Sequence, residues 1–172
     1  MTGRRRVLLL TASLAAAVPV AGTVAVAQEA PSRTRHVIVD PVTDISDDRR
    51  LAGLANDVFA GRVAARRGQT DVDGLPETRW TVEVLEVYKG ALGAGNTTVV
   101  HQLGGHDWWT RVVVEGDAVL EPGGTYLFAT MTDTAEGRRT LVPRYGDRPF
   151  APGDDARWRR VVAEQVPYRP GG

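Results

Sequence analysis

The segment 104–109 reads Gly-Gly-His-Asp-Trp-Trp and places an imidazole, a carboxylate and two indole rings beside a flexible pair of glycines. Small β-barrels bind ligands on a strand face and its adjoining loops, and exposed Trp rings stack on sugars or bases. We therefore predict a ligand or partner surface at His106, Asp107, Trp108 and Trp109, in a loop that enters a strand. Neighbouring strand residues point to opposite faces. If the chain forms such a barrel, the alternative is that one Trp fills the end of the barrel while the other lies on its wall.

Two further patterns contain residue types that bind metal ions. His101 and His106 are five residues apart with Asp107 adjacent, and two imidazoles with one carboxylate form a known type of metal site. The segment 71–77 resembles half of a calcium loop, but it lacks a third closely spaced ligand and the closing acid, and its Asp-Gly pair is equally a turn signal. We expect a strand-end His, a solvated loop His and a turn, and hence no metal or cofactor.

Groups that could carry out catalysis are scarce. The chain has no Cys, which excludes thiol nucleophiles, Cys-ligated zinc and disulfide scaffolds. Beyond residue 27 it has two Ser, of which Ser32 lies in an aperiodic segment and Ser46 is suited to a helix N-cap, so neither is placed beside a base. Glu83 and Glu86 share one predicted strand at solvent-facing positions. The sequence therefore favours a protein that is not an enzyme.

The first 27 residues have the order of an export signal. Three consecutive Arg precede the uncharged run 7–26, which is rich in Leu, Ala and Val. Ala25 and Ala27 supply the small residues that a signal peptidase reads, so the mature chain is predicted to begin at Gln28. The segment 5–9, Arg-Arg-Val-Leu-Leu, also resembles a twin-arginine motif, which leaves the export route open. The alternative is an uncleaved membrane anchor, although Pro and Gly interrupt the run.

Charge gives little information about partners. The chain carries 21 basic and 21 acidic residues, and removal of residues 1–27 takes away three Arg and no acid, so the mature chain is mildly acidic. Because the Arg residues are spread along the sequence, nothing predicts a nucleic-acid partner or an anionic membrane. We expect a secreted or cell-envelope-associated protein that meets the membrane only during export.

Both ends of the mature chain carry helical patterns. Residues 28–45 lack periodicity and predict a flexible or loosely docked N-terminal segment. Ser46 is the predicted N-cap of a short helix, because the apolar residues that follow keep a helical spacing. Near the other end, Trp158 and three Val residues share one helical face until Pro167 ends it. We expect this second helix to dock through Trp158, followed by a tail over 167–172.

Between these helices the apolar period falls to two. Strands are predicted around residues 59–65, 80–87, 96–103, 108–115 and 126–131, with a loop over 66–77. Gly61 should allow a backbone or a large ring to approach closely. At Leu85 the apolar phase slips by one residue, as a β-bulge would produce. Short strands with Gly-bearing turns predict one mainly β domain, either a barrel or a sandwich.

Three blocks carry a resemblance to a known family. They read Ala-Asn-Asp-Val-Phe-Ala-Gly-Arg-Val (55–63), Thr-Val-Glu-Val-Leu-Glu-Val-Tyr-Lys-Gly (81–90) and Leu-Glu-Pro-Gly-Gly-Thr-Tyr-Leu-Phe-Ala (120–129). In this order they resemble the netrin-like domains of tissue inhibitors of metalloproteinases and their bacterial relatives. The resemblance implies an OB-like five-stranded barrel over residues 46–166, with a short N-terminal helix and a C-terminal helix packed on it.

The resemblance implies less about function. Inhibitors of this family present an N-terminal Cys to the catalytic zinc of the protease, and this chain has no Cys. We therefore expect an exported, non-enzymatic binding module whose partner is an extracellular protein or glycan. One alternative is a small extracellular enzyme acting on cell-envelope polymers, recognisable by a pocket with two close acids of perturbed pKa. Another is a membrane-tethered envelope protein whose N-terminal helix is not cleaved.

Overall fold

A computed structural model describes residues 33–39, 44–107, 109–118 and 120–169. The strands are β1 Arg33–Val37, β2 Asp57–Val72, β3 Leu75–Lys89, β4 Thr97–Asp107, β5 Thr110–Val114, β6 Thr125–Asp133, β7 Arg138–Leu141 and β8 Asp147–Pro149, and the helices are α1 Asp48–Leu54 and α2 Asp154–Ala163. Neither helix in this part of the chain has the length and apolar character needed to cross a bilayer. The predicted export signal and its cleavage residues, Ala25, Ala27 and Gln28, lie outside the described residues.

Five strands close into a barrel in the order β4-β3-β2-β6-β7 and back to β4. Neighbouring strands are antiparallel except at the closure, where β4 and β7 meet in parallel at His101 and Thr140. Beyond the barrel, β5 and β1 extend the sheet outward from β4, and β8 pairs with β6. The predicted fold class, a mainly β chain with an OB-like five-stranded barrel and two helices, is confirmed.

Side chains of the barrel strands alternate between two apolar clusters, one inside the barrel and one beneath α1 and α2. The interior holds Phe59 and Phe128, whose rings stack with centroids 5.1 Å apart. Their neighbours in sequence point outward, and Leu127 packs there against α1 and α2. Trp158 of α2 is 2% exposed in this second cluster, beside Leu51 of α1. The prediction that the C-terminal helix docks through Trp158 is confirmed.

The predicted phase slip at Leu85 is a β-bulge. Ala60 pairs with Glu86, and the next residue, Gly61, pairs with Val84, so Leu85 has no partner in β2. The extra residue changes which face of β3 the following side chains occupy, so the apolar role passes to a new set of positions. Bulges increase the local twist and bend of a strand, and this one lies where β3 curves around the barrel.

Gly61 brings strands and an aromatic ring together inside the barrel. A Cβ at this position would lie 2.5 Å from Cγ1 of Val82 and 3.1 Å from the ring of Phe128. The first separation is shorter than Cβ contacts in real proteins and the second is tighter than most, so a side chain here would displace Val82 and the core packs as it does around glycine. The predicted close approach is confirmed.

The predicted loop over 66–77 is wrong, because β2 and β3 continue as one long hairpin. Its two-residue turn is Asp73-Gly74, with φ of 53° and 77°, as in the type I′ turns that suit hairpins. The backbone N–H of Gly74 donates to Oδ1 of Asp71 at 2.9 Å. Residues 64–72 are mostly exposed, so this half of the strand needs no apolar alternation and shows none in the sequence.

The N-terminal part differs from expectation in two details. The N-cap of α1 is Asp47 rather than Ser46, since Oδ1 of Asp47 accepts a hydrogen bond from the Arg49 backbone N–H at 2.7 Å. A carboxylate also suits the positive end of the helix dipole, while the hydroxyl of Ser46 donates to Asp44 at 2.7 Å. In the segment predicted to be flexible, β1 pairs in parallel with β5. Four of its five residues are exposed, which explains the missing periodicity.

Candidate functional site

A cavity of about 290 Å³ opens beside β4 and β5. None of its lining residues belongs to the apolar cluster beneath α1 and α2. Its buried lining consists of Thr78, Trp80, Gln102, Val112, Val114 and Leu120. Its exposed or half-buried lining carries the charged groups Arg66, His106, Arg111, Asp117 and Glu121. A mostly apolar floor with a few convergent polar groups is typical of small-molecule sites, and the volume is near the lower end of their range of roughly 300–1,000 Å³.

A hydrogen-bond network lies beneath this floor and fixes its shape. The amide nitrogen of Gln102 donates to Oδ2 of Asp147 at 2.6 Å and to the carbonyl of Ala118 at 2.8 Å. Its amide oxygen accepts from Nε1 of Trp80 at 3.1 Å. The N–H of Ala118 donates to Oδ1 of Asp147 at 3.2 Å. Because every member has a partner, the network holds the Trp80 ring and the chain at Ala118 in one arrangement.

Two carboxyl groups of this region have strongly raised pKa values. Burial and, to a lesser extent, the nearby charge of Asp117 raise the pKa of Asp147 to about 8, against the hydrogen bonds from Ala118 and Gln102. The pKa of Asp117 is raised to about 6, because burial outweighs the backbone N–H and the charge of Arg144. Asp117 lines the cavity, whereas Asp147 is 3% exposed and lies behind it.

The rim next to β4 is positively charged and held by a glutamine. Nε2 of Gln69 donates to the carbonyl of His106 at 2.5 Å, and the N–H of His106 donates back to Oε1 of Gln69 at 2.8 Å. Arg66 donates to the same Oε1 at 2.9 Å. Partial burial lowers the pKa of His106, and the charges of Arg66 and Arg111 lower it further. The outer half of the β2–β3 hairpin is thereby fixed against the end of β4.

Arginines on this side of the molecule lack carboxylate partners. The two that line the cavity, Arg66 and Arg111, form no ion pair with a described side chain. They are distant in sequence, but strand pairing gathers them, since β5 lies between β4 and β1. Arg111, for example, stands opposite His106 on one side and Thr34 on the other. We call Arg66, His106 and Arg111 the cationic rim, after the charges of its two arginines.

The structure places some of the predicted surface residues beside this cavity. His106 lines the cavity, Asp107 is the last residue of β4, and Trp109 lies in the connection to β5 with 60% of its surface exposed. Trp108 lies outside the described residues. The expected loop is wrong, because β4 continues through the glycines at 104–105, whose φ angles are 109° and 151°. Glycine tolerates these values, so the pair bends a strand rather than forming a loop.

The residues considered as metal ligands have other roles in the structure. His101 is not at a strand end but inside β4, with Nδ1 2.6 Å from Oε1 of Glu77. Glu77 is 2% exposed and also forms an ion pair with Arg138 of β7, so the three residues join β3, β4 and β7 where the barrel closes. Within the described ranges, no three His, Asp or Glu side chains are grouped to hold a metal ion.

Sequence reasoning missed four residues of the site: Arg66, Arg111, Asp117 and Asp147. Each stands alone in a segment with no motif around it, and only the strand register brings them together. Comparison with protein-family models gives no match for this chain, and no curated protein shows significant similarity to it. The likeness to netrin-like domains therefore stays a prediction from the three sequence blocks.

Proposed function

We propose that this chain is an exported, non-enzymatic binding module with a netrin-like barrel, and that the cavity beside β4 and β5 is its ligand site. The observation that supports this most is the cationic rim, whose arginines have no ion pair with a described carboxylate, above an apolar floor that includes Trp80. Charged groups that do not stabilise the fold are available for recognition of a ligand.

The proposal excludes the inhibitory mechanism of the family that the chain resembles. That mechanism needs an N-terminal Cys, and the sequence has none. The export signal predicted over residues 1–27 supports a location outside the cytoplasm. N-terminal sequencing of the protein from culture medium tests this part. A start at Gln28 is expected, and a start at Met1 would favour the membrane-tethered alternative.

Binding is tested with the mature chain and size-fractionated polysaccharide from the cell envelope. Val113→Phe enlarges a half-buried side chain of the cavity lining and should weaken binding by tenfold or more. Val166→Phe makes the same change at a residue that is 45% exposed and outside this cavity, and it should bind as the wild type does. Circular dichroism verifies that both variants fold. Equal binding by all three proteins, or no binding by any, would contradict the proposal.

A second candidate is an enzyme that hydrolyses envelope polymers. It is favoured by Asp117, which lines the cavity, and Asp147, which lies behind it, because both have raised pKa values and such pairs supply general acid and base catalysis. It ranks second because both oxygens of the enclosed Asp147 accept hydrogen bonds from Gln102 and Ala118. Only Asp117 reaches the cavity, and glycoside hydrolysis needs two carboxyl groups at the substrate.

Release of reducing ends from the same polysaccharide separates the two candidates. The binding proposal expects no release by the wild type. Release that disappears in Asp117→Asn, while binding is retained, would establish the enzyme and overturn the non-enzymatic proposal.

A further inference from the structure

We infer that the ligand is an acidic glycan, a chain of sugar units bearing carboxylate or other anionic groups, with one unit in the cavity and its neighbours across the cationic rim toward Trp109. The inference rests on the proposed function and specifies the chemistry of the ligand. Three independent features of the described residues support it: the charge of the rim, the acids of the cavity lining, and the exposed ring at its edge.

The rim offers paired guanidinium groups to an anion. Arg66 is exposed and its one recorded side-chain partner is the neutral amide of Gln69. Arg111 has no recorded side-chain partner among the described residues. Guanidinium groups bind carboxylate and phosphate oxygens in a bidentate manner, more strongly than neutral donors do. Because His106 stands between the two arginines, a ligand that crosses the rim meets three cationic or hydrogen-bonding groups in succession.

The acidic part of the cavity lining does not suit an anion. The half-buried Asp117 and the exposed Glu121 belong to the lining, and carboxylates there would repel a small negatively charged ligand. Carboxylates accept hydrogen bonds from hydroxyl groups readily. A sugar unit with free hydroxyls therefore fits beside these acids, while its anionic substituent or that of the next unit fits the rim. This division of charge favours a glycan over a simple anion such as phosphate.

Trp109 extends the surface beyond the cavity. Its ring is 60% exposed. Its backbone carbonyl accepts a hydrogen bond from the N–H of Arg33 at 3.3 Å, which fixes the backbone of Trp109 against the start of β1. Arg111 follows two residues later, about 7 Å along an extended chain. Sugar rings stack on exposed indole faces through their apolar C–H surfaces. An aromatic platform and a guanidinium at this spacing can contact neighbouring units of one chain.

The test uses probes that differ only in charge. Polygalacturonate presents carboxylates on a sugar chain, and its methyl ester presents the same chain without them. Binding to each is measured by calorimetry with the mature protein, together with dextran sulfate as a second anionic glycan and oligothymidylate as an anionic polymer of another class. We expect both anionic glycans to bind at least tenfold more tightly than the methyl ester and more tightly than oligothymidylate.

Matched variants locate the charge effect. Arg66→Gln combined with Arg111→Gln should weaken polygalacturonate binding about a hundredfold, since one charged hydrogen bond corresponds to about tenfold in affinity. The control combines Arg160→Gln with Arg169→Gln, two exposed arginines away from the cavity that also form no ion pair with a described residue, and it should change affinity less than twofold. Trp109→Ala should weaken binding about tenfold for both the acid and the ester.

Failure of this inference is distinguishable from failure of the proposed function. If envelope polysaccharide binds in a manner sensitive to Val113→Phe, but the acid and its ester bind equally or neither anionic glycan binds, the acidic-glycan inference is overturned and the binding module stands. Tighter binding of oligothymidylate than of both glycans overturns it as well, in favour of a nucleic-acid ligand. An equal loss of affinity in the two double variants would place the charge effect outside the rim.

Discussion

The arginines around Asp48 at the start of α1 and the arginines at the cavity have different partners. On the helix side, Asp48 accepts from Arg148 at 2.5 Å and also forms an ion pair with Arg157, so one carboxylate binds two guanidinium groups. At the cavity, Arg66 and Arg111 have no carboxylate partner among the described residues. The same residue type therefore joins α1, α2 and the barrel on one side, while on the other it remains available to a ligand. Arg160 and Arg169 also form no ion pair with a described residue, so the difference holds between the two arginines at Asp48 and the two at the cavity.

Buried acids also differ in whether an arginine neutralises them. Asp57, which is 4% exposed, forms an ion pair with Arg139 at 3.1 Å, and Glu77 forms one with Arg138. Asp147 is as deeply buried but has only neutral hydrogen-bond donors, and burial raises its pKa to about 8. Asp117 is subject to the same effect to a smaller extent. A buried acid near the cavity is therefore held without a cation, which makes this side of the protein sensitive to pH.

The largest effect is expected on the helix side. Trp158→Ala removes a ring that is 2% exposed and should lower the free energy of unfolding by about 3–5 kcal/mol, measured by urea denaturation. Polygalacturonate affinity per folded molecule should not change, because α2 does not line the cavity. A loss of affinity in the folded fraction would contradict the separation of the two sides.

Asp48→Asn should have the next largest effect. It leaves two guanidinium groups, those of Arg148 and Arg157, without their anionic partner at the start of α1. We expect the free energy of unfolding to fall by about 1–3 kcal/mol, again measured by urea denaturation. If the free energy of unfolding does not change, these ion pairs are solvated and do not stabilise the fold. The arginines at Asp48 would then not differ from the cavity arginines in this respect.

A smaller effect is expected on the pH dependence of stability. The ordinary pKa of Asp is about 3.9, and the values of about 6 and about 8 for Asp117 and Asp147 mean that the folded state binds protons that the unfolded state releases. The contribution of these two acids to stability should therefore be complete below about pH 4 and be lost as the pH rises through about 6 and about 8. Asp117→Asn removes one acid and its repulsion of the other, so its Tm should decline less steeply over the same range. Parallel Tm profiles for wild type and variant would contradict this.

The smallest effect is expected for the cationic rim. Arg66→Gln with Arg111→Gln should change the free energy of unfolding by no more than about 0.5 kcal/mol, although the same variant loses most of its affinity for the acidic glycan. Thermal and urea denaturation provide the measurement. A destabilisation as large as that of Asp48→Asn would mean that these arginines support the fold.

Sequence patterns predicted the fold where burial imposes a period. The phase slip at Leu85 and the close approach at Gly61 follow from side chains that pack inside the barrel, and the docking of Trp158 follows from the second cluster beneath the helices. The pattern failed in the outer half of β2 and in β1, where both faces meet water and neither alternation nor apolar residues are required.

The site was less predictable for a related physical reason. His106 and Trp109 were identified because they lie in one short aromatic segment. Arg66 and Asp117 were not, since they are separated by about fifty residues and become neighbours of the same cavity only through pairings of β2 with β3, β3 with β4 and β4 with β5. Pairing register across four strands depends on bulges and turns, which a single sequence specifies poorly.

Chemical-shift mapping by NMR during titration with oligogalacturonate tests the central claim most directly. We predict perturbations of the Trp109 indole N–H, the Trp80 indole N–H and the backbone amides of His106 and Arg111. We also predict an unchanged indole N–H of Trp158 between the helices and the barrel. Perturbations confined to α1, α2 and Trp158, or a spectrum unchanged at saturating ligand, would contradict the assignment of binding to the cavity side.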